Sequence, residues 1–145
     1  MEFINRLIHA LTGVHPLHPM LVHFPIGLTG AGALFILLAA WKRSASLEHA
    51  AFLNLALAVI GTLAAGLAGL YDNNINYDGD APNATVKIFW ATILLLVTAL
   101  TVFFRWRNPS LFESRARPFY ITAYLVSFAL ALVLAFLGGV ILYGF

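Results

Sequence analysis

Three of the five histidines and three of the six prolines of this 145-residue chain fall within eleven residues, His15-Pro-Leu-His18-Pro-Met-Leu-Val-His23-Phe-Pro25. Neutral imidazole ligates iron, copper and zinc, and it can also relay a proton. His18 and His23 are five positions apart, so on a regular helix they point ~140° away from each other. They are not the i, i+4 pair that chelates one metal from one helix face. A haem with two axial ligands would need His15 or His18 to fold back over it, or a ligand from another subunit. Methionine offers nothing within the bundle, because Met1 and Met20 are the only two. The alternative reading is structural: His18 and His23 hydrogen-bond to carbonyls that the prolines have released, since proline removes a backbone donor. His9 and His49 read as interfacial residues.

A second polar group is Tyr71-Asp-Asn-Asn-Ile-Asn-Tyr-Asp-Gly-Asp80-Ala-Pro82-Asn83. Asp72, Asp78 and Asp80 are its candidate oxygen ligands, and their spacing invites comparison with an EF-hand. The register fails. Starting at Asp72 puts Tyr77 where glycine is required and Asn83 where a bidentate Glu belongs. Starting at Asn74 places Gly79 correctly but loses the first Asp and ends at Thr85. A looser calcium site stays open, beside the reading of a solvated, turn-rich loop. Asn83 or Thr85 would cap the helix that follows. No Ser/His/carboxylate constellation and no glycine-rich phosphate loop is present, so an independent enzyme is not expected.

The elements that must position these residues follow from composition. The chain is 61% hydrophobic and only 10% charged, where soluble domains run near ~25% charged. A mean hydropathy of +0.89 excludes a soluble globule and a disordered tail alike. The net charge of +2 does not indicate nucleic acid, because the basic residues lie in the connections between apolar stretches. With no cysteine there is no disulfide, thiolate metal site or iron–sulfur cluster. Leu7–Trp41, Ala50–Tyr71, Ile88–Phe104 and Pro118–Phe145 contain no Lys, Arg, Asp or Glu. Each can hold one span, since ~30 Å of hydrocarbon needs about 20 helical residues. The spans are predicted at 20–41, 50–71, 85–105 and 119–143.

The predicted fold is an all-α membrane protein, an antiparallel four-transmembrane-helix bundle forming a single domain over 1–145. No buried acid or arginine is expected in it. An amphipathic run, Phe3, Ile4, Leu7, Ile8 and Leu11, makes 1–14 a short N-terminal interfacial segment rather than a signal peptide. Lys42, Arg43, Arg105, Arg107, Arg115 and Arg117 oppose only Arg6 and Lys87. The positive-inside rule therefore places both termini and the loop 72–84 on the outer, periplasmic side of a bacterial inner membrane. Trp41, Trp106 and Tyr120 are expected in the inner aromatic belt, and Tyr71, Trp90 and Tyr143 near the outer one. Gly61, Ala65 and Gly69, and likewise Gly27 and Ala31, are spaced by four. Such stripes let helices approach closely, or accommodate a planar ligand.

His18-Pro-Met-Leu-Val-His23-Phe-Pro-Ile-Gly27 resembles the opening motif of the bacterial membrane family catalogued as domain of unknown function 2231. Leu137-Gly-Gly-Val-Ile-Leu-Tyr143-Gly resembles that family's closing pattern, so the resemblance covers nearly the whole chain. It implies four helices and no established biochemical role. It also implies a neighbourhood of membrane electron transfer, because relatives are joined to Rieske or cytochrome c domains. His18 and His23 are the positions it carries over. The family often has another histidine opening the third helix, whereas Asn83-Ala-Thr-Val-Lys87-Ile-Phe-Trp90 has none.

Three readings stand at this point. In the leading one the chain is a small subunit or partner of a respiratory assembly, seated in the lipid bilayer beside cytochrome or other membrane subunits. Its outer histidines then hold b haem or quinone. The others are a structural accessory bundle without cofactor, and a divalent-metal protein using the histidines with Asp72, Asp78 or Asp80.

Overall fold

The computed structural model describes residues 2–9 and 17–143, without the side chains of residues 7, 9 and 140–143. His15 lies outside the described residues. All the described regular structure is helical: α1 (Glu2–His9), α2 (Leu17–Leu21), α3 (His23–Lys42), α4 (Ala45–Asn76), α5 (Ala84–Arg107) and α6 (Arg117–Tyr143), with a 3₁₀ turn at Leu111–Glu113 before α6. Four stretches are long and apolar enough to cross a membrane: Leu17–Lys42, Ala45–Asn76, Ala84–Arg107 and Arg117–Gly139.

The sequence explains where these helices begin and end. The first span is interrupted only at Val22, between Pro19 and Pro25, which have no amide to give to the helical ladder. One turn further on, Thr29 donates its hydroxyl to Pro25 O at 2.6 Å. Arg43, in the left-handed conformation, closes α3. Ser44 then caps α4 by accepting from Leu47 N at 3.4 Å. Arg105 and Arg107 occupy the last turn of α5, where the helix dipole favours cations.

α3 packs on α4 and α6, and α5 packs on the same two helices, so the four spans close a ring; α2 lies on α4. One apolar cluster joins Ile36, Ala39, Ala51, Leu55, Phe112, Tyr120 and Tyr124. A second joins Leu94, Leu130 and Ala131, with Trp90 packed against it. Inside the ring, the buried hydroxyls of Thr62, Thr98, Thr101 and Ser127 each donate to a carbonyl four residues back. This satisfies them without a partner helix, as an apolar interior requires. The outside of the ring is apolar, with Leu34, Leu57, Ile60, Leu67, Leu96, Phe103 and Phe136 exposed, as suits lipid rather than water.

Several expectations change. The second span runs over 45–76, not 50–71, so Asp72, Asn73 and Asn74 belong to a helix and the connection shrinks to 77–83. Asn73 explains the extension: it donates to Gly79 O and accepts from Ala81 N, folding the following turn back onto the helix end. Asn83 occupies the N-cap position of α5 with a left-handed backbone, but its side chain makes no capping bond. Trp41 and Trp106 are exposed as belt residues should be, whereas Tyr120 is buried. The Gly61–Ala65–Gly69 stripe does seat another helix, but Gly27 faces nothing within 4 Å.

Candidate functional site

At one end of the ring, α2, α3, α4, α5 and α6 enclose a cavity of about 390 Å³, within the size range of small-molecule sites. Its walls are mostly small and apolar, including Ala65, Gly66, Ile88, Leu94, Leu134 and Gly138. Its polar lining includes His18, His23, Asp72 and Lys87.

His18 is the most constrained of these. Its Nδ1 lies 2.7 Å from Ala65 O on α4. A carbonyl only accepts, so Nδ1 carries the proton, and in the neutral imidazole Nε2 presents a lone pair. The ring is also clamped sterically: a Cβ on Gly69 would sit 2.8 Å from Nδ1 and 2.9 Å from Cε1. Nε2 makes no hydrogen bond with any described residue, and no buried side-chain polar atom among them lacks a partner. A ring held by an Nδ1–H···O=C bond with Nε2 open is the arrangement by which proteins orient histidine toward a metal or a reacting group.

The backbone N–H of His18 donates to Asp72 Oδ2 at 3.2 Å. It is one of the first amides of α2, which have no acceptor within their own helix, so Asp72 caps α2 from across the interface. Asp72 is 8% exposed, a carboxylate drawn from the expected loop into the cavity wall. Lys87, in the first turn of α5, lines the same cavity. Among the described residues the ion pairs are Arg6–Glu2 and Arg105–Glu48, so Lys87 and Asp72 are not paired.

The expected site residues therefore divide. His18, His23 and Asp72 line one cavity, with His23 at its exposed edge. Asp78 and Asp80 are exposed and do not line it. No three His, Asp or Glu side chains among the described residues form a group that could hold a metal ion. Two contributors escaped the sequence reading. Lys87 counted there only as a charge on the outer side, and Gly69 only as one member of a stripe.

The other end of the ring holds a second polar centre, and it overturns the expectation that no acid or arginine is buried. Glu48 is 3% exposed. Arg105 donates to it through Nε at 2.6 Å and through a terminal nitrogen at 2.8 Å. Tyr120 also donates, at 2.8 Å, which spends its one proton. Tyr124 therefore donates to Tyr120 across their 3.0 Å contact. Glu48 fell outside the predicted span only because charges were used to delimit spans; its partner arginine comes from 57 residues away.

Four apolar spans around a mostly apolar cavity with a few polar side chains define a small helical membrane protein. Residues 14–145 match the family described as predicted membrane protein (DUF2231), and the chain belongs to that family. Comparison with curated proteins and with solved structures returns no match.

Proposed function

We propose that this chain is a small multi-pass subunit or partner of a respiratory electron-transfer assembly, and that its cavity holds b haem or quinone. In this reading the helices form an antiparallel bundle in a bacterial inner membrane. Both termini and the 77–83 connection lie on the outer side, α1 rests in the interface, and cytochrome or other membrane subunits are neighbours. The chain is not an enzyme by itself and does not bind nucleic acid. The observation that carries the proposal is His18: its ring is fixed by Ala65 O and Gly69, and its Nε2 is unused beside an apolar cavity.

The test is to purify the protein in native lipid and measure a reduced-minus-oxidised spectrum together with quinone content. The expected result is either a b-type α band or stoichiometric quinone, lost in His18→Ala. Absence of both in a folded protein removes the proposal.

A structural reading has an observation of its own, since His18 ties α2 to α4 through both its amide and its Nδ1. It predicts that His18→Ala loosens α2 while leaving electron flow through any associated complex unchanged.

Orientation has a direct test, because the chain lacks cysteine. Asp80→Cys should react with a membrane-impermeant maleimide in spheroplasts. Ser110→Cys should react only after the membrane is opened. The reverse pattern would invert the topology.

A further inference from the structure

We infer that the cavity is built for the reduced, hydroxyl-bearing form of a para-quinone, and binds that hydroquinone in preference to the oxidised quinone. The inference rests on the quinone reading above and adds which redox form the site selects.

The discriminating atom is His18 Nε2. Because Nδ1–H is committed to Ala65 O at 2.7 Å, the neutral ring can offer the cavity only an acceptor. A quinone carbonyl is also an acceptor, so placed there it meets a lone pair and gains nothing. A hydroquinone O–H placed there donates to Nε2. A buried site that pairs a ligand hydroxyl rejects the analogue lacking it, because the site's own polar atom is then left unpaired. Turning the ring over to offer an N–H instead would forfeit the bond to Ala65 O. The ring lies close against Gly69, where a Cβ would come within 2.8 Å of Nδ1.

Lys87 supplies the second contact. It stands on α5, whereas His18 stands on α2 and is anchored to α4, and both line the one cavity. An ammonium is a donor without acceptor capacity, so it suits the oxygen para to the one that meets His18. That oxygen accepts in either redox form, more strongly as a quinone carbonyl than as a phenolic hydroxyl, so Lys87 contributes affinity and the preference for the hydroquinone comes from His18 alone. The ring and its alkyl chain are matched by Ile88, Leu94, Leu134 and Gly138. Asp72 acts on the protein rather than the ligand, because its carboxylate holds the His18 amide and so keeps α2 in place.

The test uses the full-length protein in lipid nanodiscs under anaerobic conditions. The probes are a decyl-substituted 1,4-benzoquinone and its hydroquinone, and the affinity of each is measured by calorimetry. The hydroquinone should bind about tenfold more tightly, the scale of one hydrogen bond gained or left unmade. His18→Asn is the informative variant, since its carboxamide N–H can still reach Ala65 O while nothing replaces Nε2. Its hydroquinone affinity should fall to the level of the quinone. Lys87→Met should weaken the quinone by about tenfold and the hydroquinone by no more than that, so the preference for the hydroquinone should survive. Equal affinities in the unsubstituted protein, or a preference that survives His18→Asn, overturn the inference and leave the quinone reading standing. If neither form binds, or if phospholipid excludes both, the quinone reading falls with it. The comparison in the unsubstituted protein decides the matter even where a variant fails to fold.

Discussion

Glu48→Ala is expected to lower the stability of the bundle by about 3–5 kcal/mol, the cost of stranding one member of a buried ion pair. Arg105 would lose both of its hydrogen bonds to the carboxylate, at 2.6 and 2.8 Å. The Tyr120 hydroxyl, buried with its residue at 4% exposure, would lose its acceptor. Against a total of ~5–15 kcal/mol for a folded domain, this is a large share. Unfolding in mixed detergent micelles would measure it. Glu48→Gln retains an acceptor for Tyr120 and should fall between the two. Removing both charges, as in Glu48→Leu with Arg105→Leu, should cost much less than the sum of the single changes, with a coupling of order 1–3 kcal/mol. A loss under about 1 kcal/mol for Glu48→Ala is the scale of a solvated surface pair, and it would show that water reaches this centre freely.

Gly69→Ala should weaken the proposed ligand site while leaving stability nearly unchanged. The added methyl would lie 2.8 Å from His18 Nδ1, so the imidazole must move off Ala65 O. A lost hydrogen bond costs about 1 kcal/mol. Replacing a mid-helix glycine by alanine returns about 0.8–1.0 kcal/mol, so the two nearly cancel. The effect then appears in binding: a displaced Nε2 should lower affinity for the proposed haem or quinone by at least about tenfold. Gly27→Ala is the control. It lies on α3, does not line the cavity, and a Cβ there meets nothing within 4 Å, so it should gain the helix term and keep the ligand. Equal binding by the two variants would mean that the clamp on His18 is dispensable.

The four spans were legible because lipid penalises charge so strongly that the gaps between charged residues mark them. The same signal misled at both ends of α4. Glu48 reads as a boundary until Arg105, Tyr120 and Tyr124 are known to converge on it, and nothing local to Glu48 announces residues so distant in sequence. Asp72–Asn76 reads as a turn because Asp and Asn favour turns. Here Asp72 accepts from the His18 amide and Asn73 ties the following turn, so helix wins over propensity. His18 and His23 could be picked out as chemistry-bearing, and the Gly61–Gly69 stripe as a close-approach face. What could not be read was their conjunction, that the stripe's last glycine supports the His18 ring and that an alanine carbonyl between them sets its tautomer. Lys87 was hidden for a related reason: a single basic residue beside an apolar run looks like a boundary marker unless the cavity it faces is seen.

The length of α4 has a consequence for how the protein sits in its bilayer. Glu48 and Asp72 lie on this one rigid helix, ~36 Å apart along its axis, and each is tied to other helices. The hydrocarbon layer between them is ~30 Å thick. Most helical bundles absorb a thinner or thicker membrane by tilting or sliding at modest cost. Here sliding in either direction would draw one of two polar rungs toward oil, so the molecule behaves as a gauge with both end stops in place. It is matched to one bilayer thickness, and any large mismatch must be taken up by the lipid.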